Sequence, residues 1–222
     1  MKTKLRLLLF ALCAVSVMSL TSCLDSDDNS IAPKDYAQYL TTMRGTYYGK
    51  IRFFKESSKQ NSTSPERYDS ITSTNWTMNT DSTITINEGI VNCLDSAISG
   101  KSDTPENLKQ LQKAISDYTD DGEHKAFFYI PNKGFVSTTA ISFIANPMTI
   151  QVKLNYGEKD HDVYFVFYPN TYGGTWTSNN NVTFNMCLGG IYVDGTDSYN
   201  SIDVDNKGYF RPILVQCEGS KF

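Results

Sequence analysis

The sequence predicts a mainly β fold with a minor helical part: an antiparallel β-sandwich, or alternatively a lipocalin-like β-barrel, with two or three short covering helices. Three observations predict it. After Lys125 apolar and polar residues alternate at the two-residue period of half-buried strands. Turn signals recur every ~8–12 residues, the spacing of an all-β domain. A chain that is 40% apolar, with 14 Tyr, 12 Phe and 2 Trp, supplies a large core and excludes a disordered polymer.

Taken in order, Tyr36, Tyr39, Leu40 and Met43 fall on one helical face, with Pro33 near the start and Gly45 at the end. Thr46 to Lys55 reads as a strand, with one ring of Tyr47-Tyr48 inward and one outward. Residues 56–67, rich in Ser, Lys, Gln, Asn and Pro, read as a loop. Tyr68 to Met78 and Thr83 to Ile86 read as strands around a turn at Asn79-Thr80-Asp81. Ile90, Val91, Leu94, Ala97 and Ile98 form a helical stripe. A second helix is expected after Thr104 as N-cap and Pro105, with Leu108, Leu111, Ile115 and Tyr118 on its buried face. Further strands are expected at Ala126–Ile130, at Met148–Leu154, at Val163–Tyr168, around Val182, Phe184 and Met186, and at Ile213–Cys217. Gly173-Gly174 and Gly189-Gly190 serve as punctuation.

The N-terminus carries an address. Lys2, Lys4 and Arg6 precede the apolar run Leu7 to Val17, which is too short to span a bilayer. Leu20-Thr21-Ser22-Cys23 is a lipobox pattern: the Cys23 thiol accepts the lipid, and the small residues before it admit the signal peptidase. Residues 1–22 therefore read as a lipoprotein signal peptide, 23–33 as an acidic flexible tether and 34–222 as a single β-rich domain. Phe135 to Val152, the longest later uncharged stretch, is broken at Asn146-Pro147 and rich in Ser and Thr, so it is no membrane span. The formal charge of −4 excludes the basic face that nucleic-acid binding needs, and loss of the signal's three cations makes the chain more acidic still.

The segment Asp25-Ser26-Asp27-Asp28 after Cys23 resembles the surface-export signal of Bacteroidetes lipoproteins, carried by Ser26, Asp27 and Asp28. With the Gly45-Thr46-Tyr47 opening strand and the all-β second half, the chain resembles the small uncharacterised outer-membrane lipoproteins of that group. The resemblance implies an outer-membrane location facing the cell exterior, or alternatively the periplasm, and no activity. It also implies O-glycosylation at Asp-Ser patterns, with Ser70 and Ser82 as candidates.

No catalytic motif stands out. Cys187 and Cys217, both on C-terminal strands, are candidates for a disulfide, and Cys93 reads as a small buried hydrophobe. Asp203-Val204-Asp205 fails the EF-hand pattern, because Lys207 and Leu214 stand where oxygen ligands belong. A looser Ca²⁺ site from Asp194, Asp197, Asp203 and Asp205 is the remaining metal candidate, and no cofactor is expected. A hydrolase would need Asp120, Glu123, Asp203 or Asp205 to meet in one cleft. Trp76 and Trp176 are candidates for stacking on a ligand. The expectation is thus a non-enzymatic envelope lipoprotein that binds a glycan or a protein partner, the alternative being a lipocalin-like carrier of a small apolar ligand.

Overall fold

Strands with one apolar face must bury it, and here they do so by rolling one sheet into a ring. The computed structural model describes residues 29–55, 65–120, 122–203 and 208–222. Cys23, Ser26, Asp27, Asp28 and Asp205 lie outside the described residues. Contacts divide the chain into Met1–Ser30 and Ile31–Phe222, and every strand and helix among the described residues belongs to the second unit.

Helix α1 (Pro33–Met43) is followed by strands β1 (Gly45–Lys55), β2 (Glu66–Met78) and β3 (Thr83–Ile86). A 3-10 helix (Val91–Ala97) and helix α2 (Glu106–Ser116) interrupt the strands. Then come β4 (His124–Tyr129), β5 (Ala140–Pro147), β6 (Ile150–Tyr156), β7 (Lys159–Phe167), β8 (Tyr172–Thr177), β9 (Asn181–Val193) and β10 (Ile213–Ser220).

All pairings are antiparallel. The order β10-β1-β2-β3-β4-β5-β8-β9 returns to β10, so eight strands close a barrel. This corrects the sandwich in favour of the barrel alternative. The cause lies in β9, whose Val182–Phe184 part pairs with β8 on one side while Asn181–Leu188 pairs with β10 on the other. A strand that serves neighbours on both sides joins the two ends of the sheet, and closure removes the exposed edges within the ring.

The barrel interior is filled by side chains. Tyr47, Phe53, Trp76, Phe128, Phe143 and Phe184 are fully buried. Trp76 meets Phe184 edge-on at 5.7 Å between centroids, Phe184 lies 6.5 Å from Phe143, and Phe143 meets Phe128 at 5.4 Å. An eight-strand ring is just wide enough for such a column. Helix α1 lies against the end where β1 begins and β4 and β10 stop. Tyr47 donates to the Met43 carbonyl, Ile130 N–H donates to Tyr36 Oη, and Lys221 Nζ donates to the Thr42 and Arg44 carbonyls.

Beyond the other end the sheet continues as a bent hairpin. β5 pairs with β8 from Ala140↔Thr177 to Ala145↔Tyr172, and β6 pairs with β7 from Ile150↔Phe165 to Tyr156↔Lys159. These are two halves of one hairpin, broken where Pro147 and Pro169 withhold ladder donors. At the break Asn146 Nδ2 donates to Asn170 Oδ1 at 2.9 Å, and Asn170 N–H donates back to Asn146 Oδ1. The tip turns through Gly157 and Glu158, both at positive φ. Buried Ile150, Val152 and Leu154 of β6 pack against α2, which buries Leu108, Leu111 and Ile115 as its pattern foretells.

Several local expectations are corrected. Gly173-Gly174 lies inside β8, opposite Phe143 and Ile144, and Gly189-Gly190 lies inside β9 at a register shift. The Ile90–Ile98 stripe folds as a 3-10 helix. Thr104 does not cap α2; its buried hydroxyl donates to the Ser99 carbonyl and the helix starts after Pro105. Strand β5 was not anticipated, and Met148 is exposed rather than inward.

Candidate functional site

The outer face of β2, β1, β10 and β9 presents hydroxyl, amide and paired charged side chains, because the inner positions of these strands are taken by the core. Where β2 bulges, between the pairs Gly49↔Thr74 and Ile51↔Ile71, the wall dents. Gly49 and Gly219 face each other in this dent. A Cβ on Gly49 would sit 2.0 Å from the Glu218 carbonyl oxygen, so only glycine lets the two backbones approach this closely.

The result is a groove of about 460 Å³ lined by Thr72 of β2, Gly49 and Lys50 of β1, Glu218, Gly219 and Ser220 of β10, and Asn181 and Thr183 of β9. Glu218 accepts from Arg52 and lies 3.9 Å from Lys50, which fixes its carboxylate at the rim. Tyr48, directly across from Ser220, is 54% exposed and packs its ring 6.2 Å from that of Phe222. The groove thus offers hydroxyl, amide and carboxylate partners beside an exposed aromatic ring.

Two further clefts hold the chain's two histidines. In one, of about 290 Å³, His124 Nε2 lies 2.7 Å from Asp120 Oδ2, which also accepts the Ile90 and Val91 N–H groups at 2.8 and 3.0 Å. Burial alone would raise the Asp120 pKa. The hydrogen bonds from His124, Val91 and Gly122 and the charge of His124 outweigh it and hold the carboxyl below its ordinary range. Asp120 therefore caps the 3-10 helix and fixes the following loop. Glu123 lines the same cleft. Asp203 lies between β9 and β10 with its carboxylate on the Gly208 N–H, and it is not part of that cleft.

The other cleft, of about 320 Å³, is lined by Asn107, Gln110, Tyr156, His161, Tyr199 and Asn200 among others. His161 stacks on Tyr156 at 4.1 Å, and its Nδ1 lies 3.0 Å from Asp194 Oδ2. Desolvation again opposes ionisation of Asp194. His161, the Asp162 N–H and Lys159 prevail and lower its pKa.

The remaining sequence candidates fare as follows. Trp76 is fully buried and Trp176 is 8% exposed, so neither can stack on a ligand from outside. Both are inward positions of strands, and Tyr48 takes the exposed role. The Cys187–Cys217 disulfide is corrected. Cys187 pairs with Leu214 and Cys217 with Phe184, an odd offset that puts the two thiols on opposite faces of the sheet, and both are free. Burial raises the Cys187 and Cys217 pKa values, and together with Asp69 it pushes Cys93 up to about 12, so all three stay protonated. Among the described residues no group of His, Cys, Asp and Glu is arranged to hold a metal, and Asp194 is engaged by His161 and Lys159. Asp197 precedes the short 3-10 turn Ser198–Asn200. Ser70 is exposed on β2 and Ser82 is half-buried in the β2–β3 turn. The groove residues Thr72, Asn181, Thr183 and Ser220 were missed. Strand alternation marks Asn181, Thr183 and Ser220 as outward, whereas Thr72 shares the parity of buried Thr74, Trp76 and Met78 and is exposed only through the β2 bulge; the pairing of β10 with β1 and β9 then assembles them.

Among the described residues no helix is long and apolar enough to cross a membrane. No curated protein and no solved structure matches the chain. A family model does match over residues 42–193, from the last turn of α1 to the end of β9. The chain belongs to the family described as "Domain of unknown function (DUF4840)".

Proposed function

We propose that this protein is a non-enzymatic envelope lipoprotein, anchored through Cys23 and exported by the Ser26-Asp27-Asp28 signal, whose barrel binds glycans on its outer wall. The observation that carries the reading is the groove across β2, β1, β10 and β9. Four strands at ~4.8 Å spacing span ~14 Å, room for a short oligosaccharide lying across them. Sugars present hydroxyl groups that pair with amides, carboxylates and other hydroxyls, and their C–H faces stack on exposed rings such as Tyr48. The groove sits on paired strands rather than loops, so its groups are held in place before a ligand arrives. An outward-facing outer-membrane location suits this reading, with a periplasm-facing one as the alternative. The carrier alternative has less support, since the aromatic column occupies the barrel interior where its ligand would sit.

A glycan array probed with the detergent-solubilised full-length protein tests the reading. Wild type is expected to bind a subset of glycans, and Tyr48→Ala to weaken that binding about tenfold, the loss expected of one aromatic anchor. Absence of any glycan binding, or binding unchanged in Tyr48→Ala, refutes it.

A further inference from the structure

The cleft around His161 is assembled from three parts of the chain. Asn107 and Gln110 come from α2, Tyr156 and His161 from the tip region of the β6–β7 hairpin, and Tyr199 and Asn200 from the 3-10 turn that follows β9. The Ile202 N–H bond to the Ile191 carbonyl and the Tyr192↔Ser201 bridge tie that turn to β9. His161 is 8% exposed, and Tyr156 covers one face of its ring. Asp194 sits at φ 59°, a left-handed angle that is costly for a side-chain-bearing residue. In this position its carboxylate accepts from both His161 and the Asp162 N–H.

One polar group is left over. An ionised carboxylate only accepts, so His161 Nδ1 is the donor to Asp194, and Nε2 of the neutral ring is an acceptor. Nε2 makes no hydrogen bond among the described residues, yet it stays open to the cleft that the ring lines. An acceptor held this firmly, on a side chain this buried, calls for a ligand that supplies the donor.

We infer that this cleft binds a single uncharged sugar residue, with one sugar hydroxyl donating to His161 Nε2. Three features select that class. The side-chain amides of Asn107, Gln110 and Asn200 make no hydrogen bond among the described residues, and each can both donate and accept, as sugar hydroxyls do. Tyr199 is 86% exposed and offers its face to sugar C–H groups. Tyr156 already stacks on His161, so the lining has one free ring rather than the two that would sandwich a flat heterocycle. The charges are matched, with Lys159 3.8 Å from Asp194, so an ionic ligand finds no free counter-charge. A volume of about 320 Å³ lies at the small end for a ligand pocket and suits one residue rather than a chain. The cleft shares no residue with the wall groove, and the inference does not rest on that groove's reading.

The chain has two histidines, which makes imidazole ¹⁵N NMR a direct test. His124 is the internal control, since its Nε2 is already occupied by Asp120 at 2.7 Å. The full-length protein in detergent is titrated with methyl glycosides of glucose, galactose and mannose, with the corresponding uronic acids, and with adenosine as an uncharged flat heterocycle. At least one neutral glycoside is expected to move the His161 Nε2 signal saturably while His124 stays in place. The uronic acids and adenosine are expected to bind at least tenfold more weakly. Tyr199→Ala, at an exposed position, is expected to weaken the sugar about tenfold, with unchanged circular dichroism as the control. A His161 signal unmoved by every neutral glycoside overturns the inference. So does a preference for a uronic acid or adenosine, or binding indifferent to Tyr199→Ala. The wall groove is read through Tyr48 and this cleft through His161, so either can fail while the other stands.

Discussion

Trp76 reaches across β1 to lie over position 219 of β10. A Cβ on Gly219 would stand 2.7 Å from Trp76 Cη2 and 2.7 Å from the Tyr48 carbonyl oxygen. The glycine is therefore a packing partner of the indole. Gly219→Ala is expected to destabilise the fold by about 1–3 kcal/mol through overpacking, measured by urea unfolding. Asp120 is the second residue whose role is specific. Its side chain is 4% exposed and serves two backbone donors and His124 at once. Asp120→Ala orphans those donors and is expected to cost about 1–3 kcal/mol at neutral pH. A carboxyl whose folded pKa lies below its unfolded value of about 4 stabilises the fold above that pH, and loses this contribution as pH falls through the folded value. The gap between wild type and Asp120→Ala should thus be full at pH 6 and shrink below about pH 4. A gap that is flat from pH 6 to pH 3 contradicts this.

At the scale of elements, the bent hairpin is where local sequence and tertiary structure part company. Its two Asn residues make the bend a hydrogen-bonded joint, and Tyr129 Oη adds a third contact by donating to Asn170 Oδ1. Asn170 also sits at φ 53°, which Asn tolerates better than Ala. Asn170→Ala is expected to cost about 1–2 kcal/mol in urea unfolding, and Asn170→Gly less, since glycine keeps the backbone angle. Equal losses would assign the whole effect to the side-chain pair. The alternation in β10 and the stripe of α2 were legible, because each is a local pattern. Strand β5 was not: Pro147 at its end reads as an interruption, and only the continuation into β6 shows it to be a bend. Gly173-Gly174 misled for the converse reason, since glycines that usually mark turns here face Phe143 and Ile144 across a strand pair.

For the whole molecule, alternation predicts strands but is equally consistent with two stacked sheets or one closed one. The choice is made by β9, whose length allows it to pair with β10, β8 and β7 together. The same non-local pairing hides the groove from the sequence: one ring of Tyr47-Tyr48 is expected to face outward, and Tyr48 is the one that does, yet its neighbour Ser220 lies far along the chain. Closure also decides which aromatics are available to a ligand. Trp76 and Trp176 are enclosed, while Tyr48 stands outside. This separates binding on the wall from binding in the interior, since the indole N–H groups report on one and the groove amides on the other. The direct measurement is an NMR titration of the ¹⁵N-labelled protein with the best oligosaccharide from the array. Shifts at Lys50, Thr72, Asn181, Thr183, Glu218 and Ser220 with unmoved Trp76 and Trp176 indole signals are the predicted result. Shifts led by the two indole signals, with the groove amides silent, would place the ligand inside the barrel and contradict the account.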